Sequence, residues 1–238
     1  MKNILQIIVR LTRRSRLVLT IWPREFAQVK IHEDNITLQT KYKLTAWFYD
    51  ILDYPWERVY KHWRPLFLED LRGEVLELGS GTGRNFQHYH SNVNLTAVDL
   101  SDTMLAVSKK RAKRAKCKID LKHEDATLMT DIPSNYYDWV ISTFMCCVMP
   151  DHLQPQALEQ MLRILKPGGK FRLLEIIYSK NPKINHRQKI FAPFVAKIYG
   201  ARFDRKTLQY LQEIDGLEIT CQKFLKDDTY LFIEGYKK

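Results

Sequence analysis

The chain has 238 residues, 45% hydrophobic and 27% charged, which supplies a packed core for one large domain and excludes both a small disulfide-stapled scaffold and wholesale disorder. Nine Gly and nine Pro without a repeating period exclude a collagen-like or low-complexity chain. An excess of 38 Lys and Arg over 27 Asp and Glu leaves +11, which favours anionic partners such as phospholipid head groups, nucleic acid or phosphorylated metabolites without choosing among them. Residues 1–30 form a basic N-terminal segment, in which Ile4, Ile7, Ile8, Leu17, Val18, Ile21 and Trp22 are mixed with Lys2, Arg10, Arg13, Arg14 and Arg16. Its apolar stretches are too short to cross a bilayer, and the central arginines do not fit a secretory signal. Three readings fit residues 1–22: a basic amphipathic helix in a membrane interface, a helix packed on the protein's own core, and a mitochondrial presequence, because no acid precedes Glu25. Residues 31–70 read as a helical entrance or lid segment ahead of a domain over 71–238.

From there β-type runs alternate with helical ones. Residues 74–78, 94–98, 118–122, 139–142 and 171–177 read as strands, and stretches near 84–90, 102–116 and 152–165 carry helical spacing, the second capped by Ser101. Such alternation implies a parallel sheet covered on both faces. After a last helix near 205–214, residues 217–224 and 229–234 flank a Lys-Asp-Asp turn, so the sheet ends in an antiparallel strand. Cys117, Cys146, Cys147 and Cys221 lack the spacing of a zinc site or a secreted framework and read as reduced thiols in an intracellular protein. The basic run from Lys109 to Lys118 reads as a solvated helix face.

Glu77-Leu-Gly79-Ser80-Gly81-Thr-Gly83 follows the first strand. Its glycines allow a tight turn and close approach of a ligand, and the following helix start favours a negative group. The spacing is GxGxG, and Arg84 stands where a dinucleotide fold would have its third glycine. Asp99 closes the second strand, where a carboxylate can accept both hydroxyls of a ribose, and Asp125 follows the third, where one can accept from an adenine amino group. Lys166-Pro-Gly-Gly169 reads as a turn from helix into the fifth strand.

Taken together with Tyr137-Asp-Trp-Val140, these residues resemble the class I S-adenosylmethionine-dependent methyltransferases over about residues 72–238. That resemblance implies an α/β fold with a Rossmann-like seven-stranded sheet, its last strand antiparallel, and S-adenosyl-L-methionine as cofactor. It implies cofactor contacts from Glu77, Gly79, Ser80, Gly81, Gly83, Asn85, Asp99, Leu100, Met104, Asp125, Ala126 and Thr143. Lys41 to Asp53 with His62-Trp-Arg64, and Glu175 with Lys180-Asn-Pro182, are similar to the ubiquinone/menaquinone biosynthesis C-methyltransferases. The expectation is a cytoplasmic enzyme, peripheral to a membrane through residues 1–22, that methylates a small lipophilic or lipid acceptor, with a quinone precursor first. A phospholipid N-methyltransferase, a thiol methyltransferase and a cofactor-binding assembly factor are the alternatives. The Asp/Asn-Pro-Pro-Tyr/Phe tetrapeptide of amino-methylating nucleic-acid enzymes is replaced by Ser142-Thr-Phe-Met145, which disfavours a nucleic-acid partner. An acceptor that must lose a proton would use a base, for which His152, Tyr49 and Glu175 are the candidates. The histidines show no metal-ligand spacing, so no metal is expected.

Overall fold

A computed structural model describes Phe26 and residues 29–238; the segment expected to meet a membrane, residues 1–22, lies outside them. Seven strands form one sheet: β1 (Gly73–Leu78), β2 (Val93–Asp99), β3 (Lys118–His123), β4 (Tyr137–Thr143), β5 (Leu165–Ile176), β6 (Leu217–Phe224) and β7 (Tyr230–Lys237). Their order is β3-β2-β1-β4-β5-β7-β6. β1 to β5 pair in parallel, and β7 runs antiparallel between β5 and β6, as the short 225–229 turn requires.

Both faces of the sheet are covered, which is why the strands read as near-continuous apolar runs. Leu76, Leu78, Val140, Leu173 and Ile233 point to one face and pack with Met161 and Phe171. Their neighbours Val75, Ile141, Leu174 and Phe232 point to the other and pack with Phe67 and Leu95. Arg172 is buried on this second side, where it is paired with Asp70 and Glu234 and donates to the Phe67 carbonyl, so its charge is compensated.

The helices are α1 (Ile36–Thr45), α2 (Tyr49–Leu52), α3 (Tyr54–Tyr60), α4 (Arg64–Leu68), α5 (Asp102–Ala112), α6 (Gln154–Ile164), α7 (Pro182–Tyr199) and α8 (Thr207–Glu213). Ser101 caps α5 by accepting from the Met104 N–H, as its position before the helical run suggests. Three details differ from the sequence reading. The helix expected near 84–90 is only a 3-10 turn over Phe86–His88. Lys166 to Gly169 lies inside β5, where the pairing with β4 slips between Tyr137 and Trp139 and Gly168 takes φ +75°. The 18-residue α7 was not anticipated; Asn181 caps it, Pro182 fills its first turn, and Gly200 at φ +78° ends it.

Candidate active site

The carboxyl ends of β1, β2 and β4 converge on one cavity, beneath α1 to α3. Parallel strands leave their ends and the loops after them on one edge of the sheet, the usual place for a ligand in this topology. Gly79 to Thr82 form the floor. The Gly81 N–H donates to Asp99 Oδ2 at 2.7 Å, and the Ser101 N–H donates to Oδ1 at 2.8 Å. This fastens the glycine bend to the carboxylate, and burial pushes the Asp99 carboxyl up to about 6. Gly81 stands at φ +55°, and a Cβ on it would meet no protein atom within 4 Å, so open space lies above the bend. Gly83 differs from the other glycines of the motif. It does not line the cavity, and a Cβ there would lie 2.5 Å from Phe86 Cε2, so its task is packing.

Glu77, at the end of β1, is fully buried and accepts from Asn85 Nδ2 at 2.7 Å and from the Tyr89 hydroxyl at 2.9 Å. Burial pushes it up to about 7 despite these donors. Asn85 also reaches Thr143 Oγ1 and accepts from Arg64, so Glu77, Asn85, Thr143 and Arg64 form one network along the cavity wall. Leu100, Met104 and Ala126 line the same cavity.

Asp125 is brought to the cavity but is not free to play the part expected of it. Its two oxygens accept from the Thr127 N–H and hydroxyl, from Asn35 Nδ2 and from the His32 N–H. Those bonds clip the start of the entrance segment over the cavity. Asn35, buried and lining the cavity, keeps an Oδ1 that has no partner among the described residues, as does the buried Ser80 Oγ. A buried acceptor without a donor is costly unless a ligand or water supplies one. Asn35 was not among the residues singled out from sequence. A polar side chain one residue before an apolar helix is an ordinary cap signal, which hid it; here its side chain caps nothing and reaches Asp125 instead.

The three base candidates separate. Tyr49 lines the cavity edge-on to Tyr42, with ring centroids 6.0 Å apart, and burial raises its phenol well above the ordinary value. His152 lies on the outside: its side chain is 65% exposed and its Nε2 stands 2.9 Å from Asp34 Oδ2, away from the cavity. The helix that begins just after it turns it to solvent, which sequence order alone does not show. Glu175 is buried beneath the cavity and does not line it. It accepts the Cys146 and Cys147 N–H groups at 3.0 and 2.8 Å, holding the loop after β4 in place, and burial pushes it up to about 7. Cys146 and Cys147 are buried free thiols, and burial raises both.

A carboxylate not singled out from the sequence does line the cavity. Asp53 lines the cavity, is buried, and lies 3.6 Å from Arg84 Nε; burial pushes it up to about 6. Its signal was present in Tyr49-Asp50-Ile-Leu-Asp53, where one turn of helix puts it on the same face as Tyr49. Arg84, the residue that breaks the dinucleotide spacing, also binds Asp50 and Glu57, while Arg111 from the basic run joins the Thr82 carbonyl to Asp50 at 2.7 and 2.6 Å. The departure from the glycine pattern therefore has a purpose: it ties the entrance segment to the glycine bend. Beyond Tyr49, the cavity wall is aromatic. Tyr60 stacks on Phe144 at 4.4 Å between centroids and meets Tyr230 edge-on at 5.8 Å, and Val195 of α7 closes the side.

Residues 75–169 match the family profile described as a methyltransferase domain. The chain is 33% identical over 116 residues to demethylmenaquinone methyltransferase of Staphylococcus haemolyticus, a match covering 49% of this chain and 47% of that protein. It thus spans about half the length of this curated relative. Among solved structures, an S-adenosylmethionine-dependent methyltransferase of Methanosarcina mazei is similar at TM-score 0.56 and 17% identity, covering 72% of this chain and 95% of that one. Geranyl diphosphate C-methyltransferase of Streptomyces coelicolor, in complex with Mg2+, geranyl diphosphate and S-adenosyl-L-homocysteine, is similar at TM-score 0.59 and 12% identity, covering 76% and 80%. At these identities the likeness to both structures is one of fold.

Proposed function

We propose that this chain, whose residues 75–169 match a methyltransferase domain, is a class I S-adenosylmethionine-dependent methyltransferase that methylates a small lipophilic acceptor, a quinone precursor before others. One observation carries this reading: a single cavity joins the glycine bend and Asp99 to an aromatic compartment made by Tyr49, Tyr60, Phe144 and Tyr230. The first part fits the cofactor. Asp99 has lone pairs to spare for two ribose hydroxyls beside the two N–H groups it already accepts. The open space over Gly81 admits a ligand, and the unpartnered Asn35 Oδ1 supplies the acceptor for an adenine amino group that Asp125 no longer offers. The second part fits a flat apolar ring. The quinone class is supported by the relative named above, a demethylmenaquinone methyltransferase.

The bound cofactor would supply an electrophilic methyl on sulfur. The chain's own part is to orient and to exclude water, and alignment of this kind is worth ~7 to 11 kcal/mol. The lid clipped by Asp125 and by the Arg84 and Arg111 pairs encloses the cavity. A carbon acceptor must also lose a proton, and Asp53, ionised above about 6, is the carboxylate in reach of the aromatic compartment. Tyr49, held protonated, can donate to an acceptor oxygen and fix the ring's orientation.

The test is methyl transfer from labelled S-adenosylmethionine to a demethylated quinol, to phosphatidylethanolamine and to a lipophilic thiol, with radiolabel read in the lipid extract. Label is expected in the quinol, and at saturating S-adenosylmethionine, which removes the contribution of cofactor affinity, the rate should fall below about pH 6 in the wild type and be low and without that limb in Asp53→Asn. Label in phospholipid or thiol alone would replace the acceptor assigned here, and no binding of S-adenosylhomocysteine would end the enzymatic reading.

A further inference from the structure

Helix α7 carries a surface that the cavity does not use. Between Glu175 and Asp204 the chain has no acidic residue, while Lys180, Lys183, Arg187, Lys189 and Lys197 fall there, Arg202 being paired with Asp204. Within α7, Ile184, Gln188, Ala192, Val195 and Tyr199 recur at helical spacing and are turned toward the protein. The opposite stripe, Lys183, Arg187, Ile190 and Phe194 with Phe191 beside it, faces out; Ile190, Phe191 and Phe194 are 61%, 59% and 58% exposed. An apolar stripe flanked by cations and free of acids is costly to leave in water, and nothing in the described residues packs on it.

The place of this stripe decides what it fits. The last turn of α7 is bonded to the entrance segment, with Lys41 Nζ on the Ala196 carbonyl, the Tyr42 hydroxyl on the Tyr199 carbonyl, and the Tyr199 hydroxyl on the Leu52 carbonyl. That segment exposes Phe48, Ile51 and Tyr54 next to its cavity-lining residues Tyr49 and Asp53. Aromatic and aliphatic side chains therefore project from two elements that also wall the cavity, with cations among them, the composition of a surface that seats in the head-group layer of a bilayer.

We propose that α7, with the adjoining turn of the entrance segment, docks on an anionic lipid bilayer and sets the cavity against it. Within α7 the stripe offers cations only around an apolar centre, which matches the anionic surface and apolar interior of such a bilayer. The inference rests on the proposed lipophilic acceptor for its purpose, since docking would let such an acceptor pass from the membrane into the cavity without crossing water. It is separate from the expectation for residues 1–22.

Cosedimentation of the full chain with vesicles tests it. Binding is expected to phosphatidylcholine/phosphatidylglycerol vesicles, to be weaker on phosphatidylcholine alone, and to fall with salt. Phe191→Ser with Phe194→Ser should weaken partitioning by about tenfold or more, and Lys183→Glu with Arg187→Glu by about fivefold or more. Hydrogen exchange should show vesicle-dependent protection over 182–199. Equal binding by wild type and both variants, absence of wild-type binding, or protection confined to other segments would overturn the proposal. A wild-type dimer that the Phe191→Ser, Phe194→Ser variant converts to monomer would also overturn it, by assigning the stripe to a second copy. S-adenosylhomocysteine affinity, measured in the same variants, should be unchanged. Its absence in the wild type would refute the enzymatic reading alone, leaving the vesicle result to stand or fall by itself.

Discussion

Asp99→Asn probes the residue on which the cofactor half of the cavity depends. In the wild type both carboxylate oxygens accept a backbone N–H, Gly81 at 2.7 Å and Ser101 at 2.8 Å. An amide must turn its NH2 toward one of these donors, and leaving that N–H unsatisfied costs about 1 to 3 kcal/mol. Against this, burial holds the carboxyl near 6 rather than 3.8, so keeping it ionised at neutral pH costs the folded protein about 3 kcal/mol, which the neutral amide avoids. The two effects offset one another, and the variant should unfold within about 2 kcal/mol of the wild type. Cofactor binding has no such offset. A hydrogen bond to a charged acceptor is worth about 1.5 to 3 kcal/mol, and the amide replaces two of these with one neutral bond. A loss of about 2 to 3 kcal/mol weakens S-adenosylhomocysteine about 30- to 150-fold. The pH dependence gives an independent sign. The carboxylate is the binding form, so wild-type affinity should be constant above about pH 6 and fall about tenfold per unit below it, whereas Asp99→Asn should show no such limb. Titration calorimetry across pH 5 to 8, with urea unfolding alongside, measures both. A folded variant that binds within about threefold of wild type, or a wild-type profile flat through that limb, would refute the reasoning.

Gly81→Ala should fold, since the added methyl meets no protein atom and the left-handed φ costs about 1 to 2 kcal/mol, yet it should lose at least about tenfold in S-adenosylhomocysteine affinity because the methyl enters the ligand's space. Unchanged affinity in calorimetry would remove the cofactor from above the bend. His152→Ala should retain methyl transfer within about twofold, because the side chain meets only Asp34 at the surface, a pair worth about 0 to 1 kcal/mol; a thousandfold loss would restore it as the base. The buried carboxyls of Glu77 and Glu175 sit near 7 against 4.5 when unfolded, so the folded state holds their protons more tightly. Their contribution is fully present below pH 4.5 and is lost as pH rises to about 7, so the urea midpoint should climb as pH falls from 8 to 5.5. A midpoint that falls over that range would contradict their placement.

Residue pattern alone determined the sheet and the floor of the cavity. Alternating apolar runs and the short 225–229 turn dictate five parallel strands with an antiparallel β7, and a glycine bend after β1 with an acid after β2 must meet because parallel strands end on one edge. These are local signals whose geometric consequence is general. What the chain order could not show is which polar groups a packed interior leaves occupied. Asp125 is spent on nearby Thr127 and on Asn35 and the His32 backbone, Glu175 on the N–H groups after β4, and His152 on Asp34 at the surface, and apart from Thr127 these partners lie 28 to 118 residues away. Helix α7 escaped notice for a related reason. Pro193 lies inside it, which reads as a helix breaker, and its exposed stripe is as apolar as its buried one, so periodicity does not reveal which side faces the protein. Only the packed structure, in which Val195 and Tyr199 reach the cavity while Ile190, Phe191 and Phe194 face out, decides that question, since burial is a property of neighbours and not of sequence.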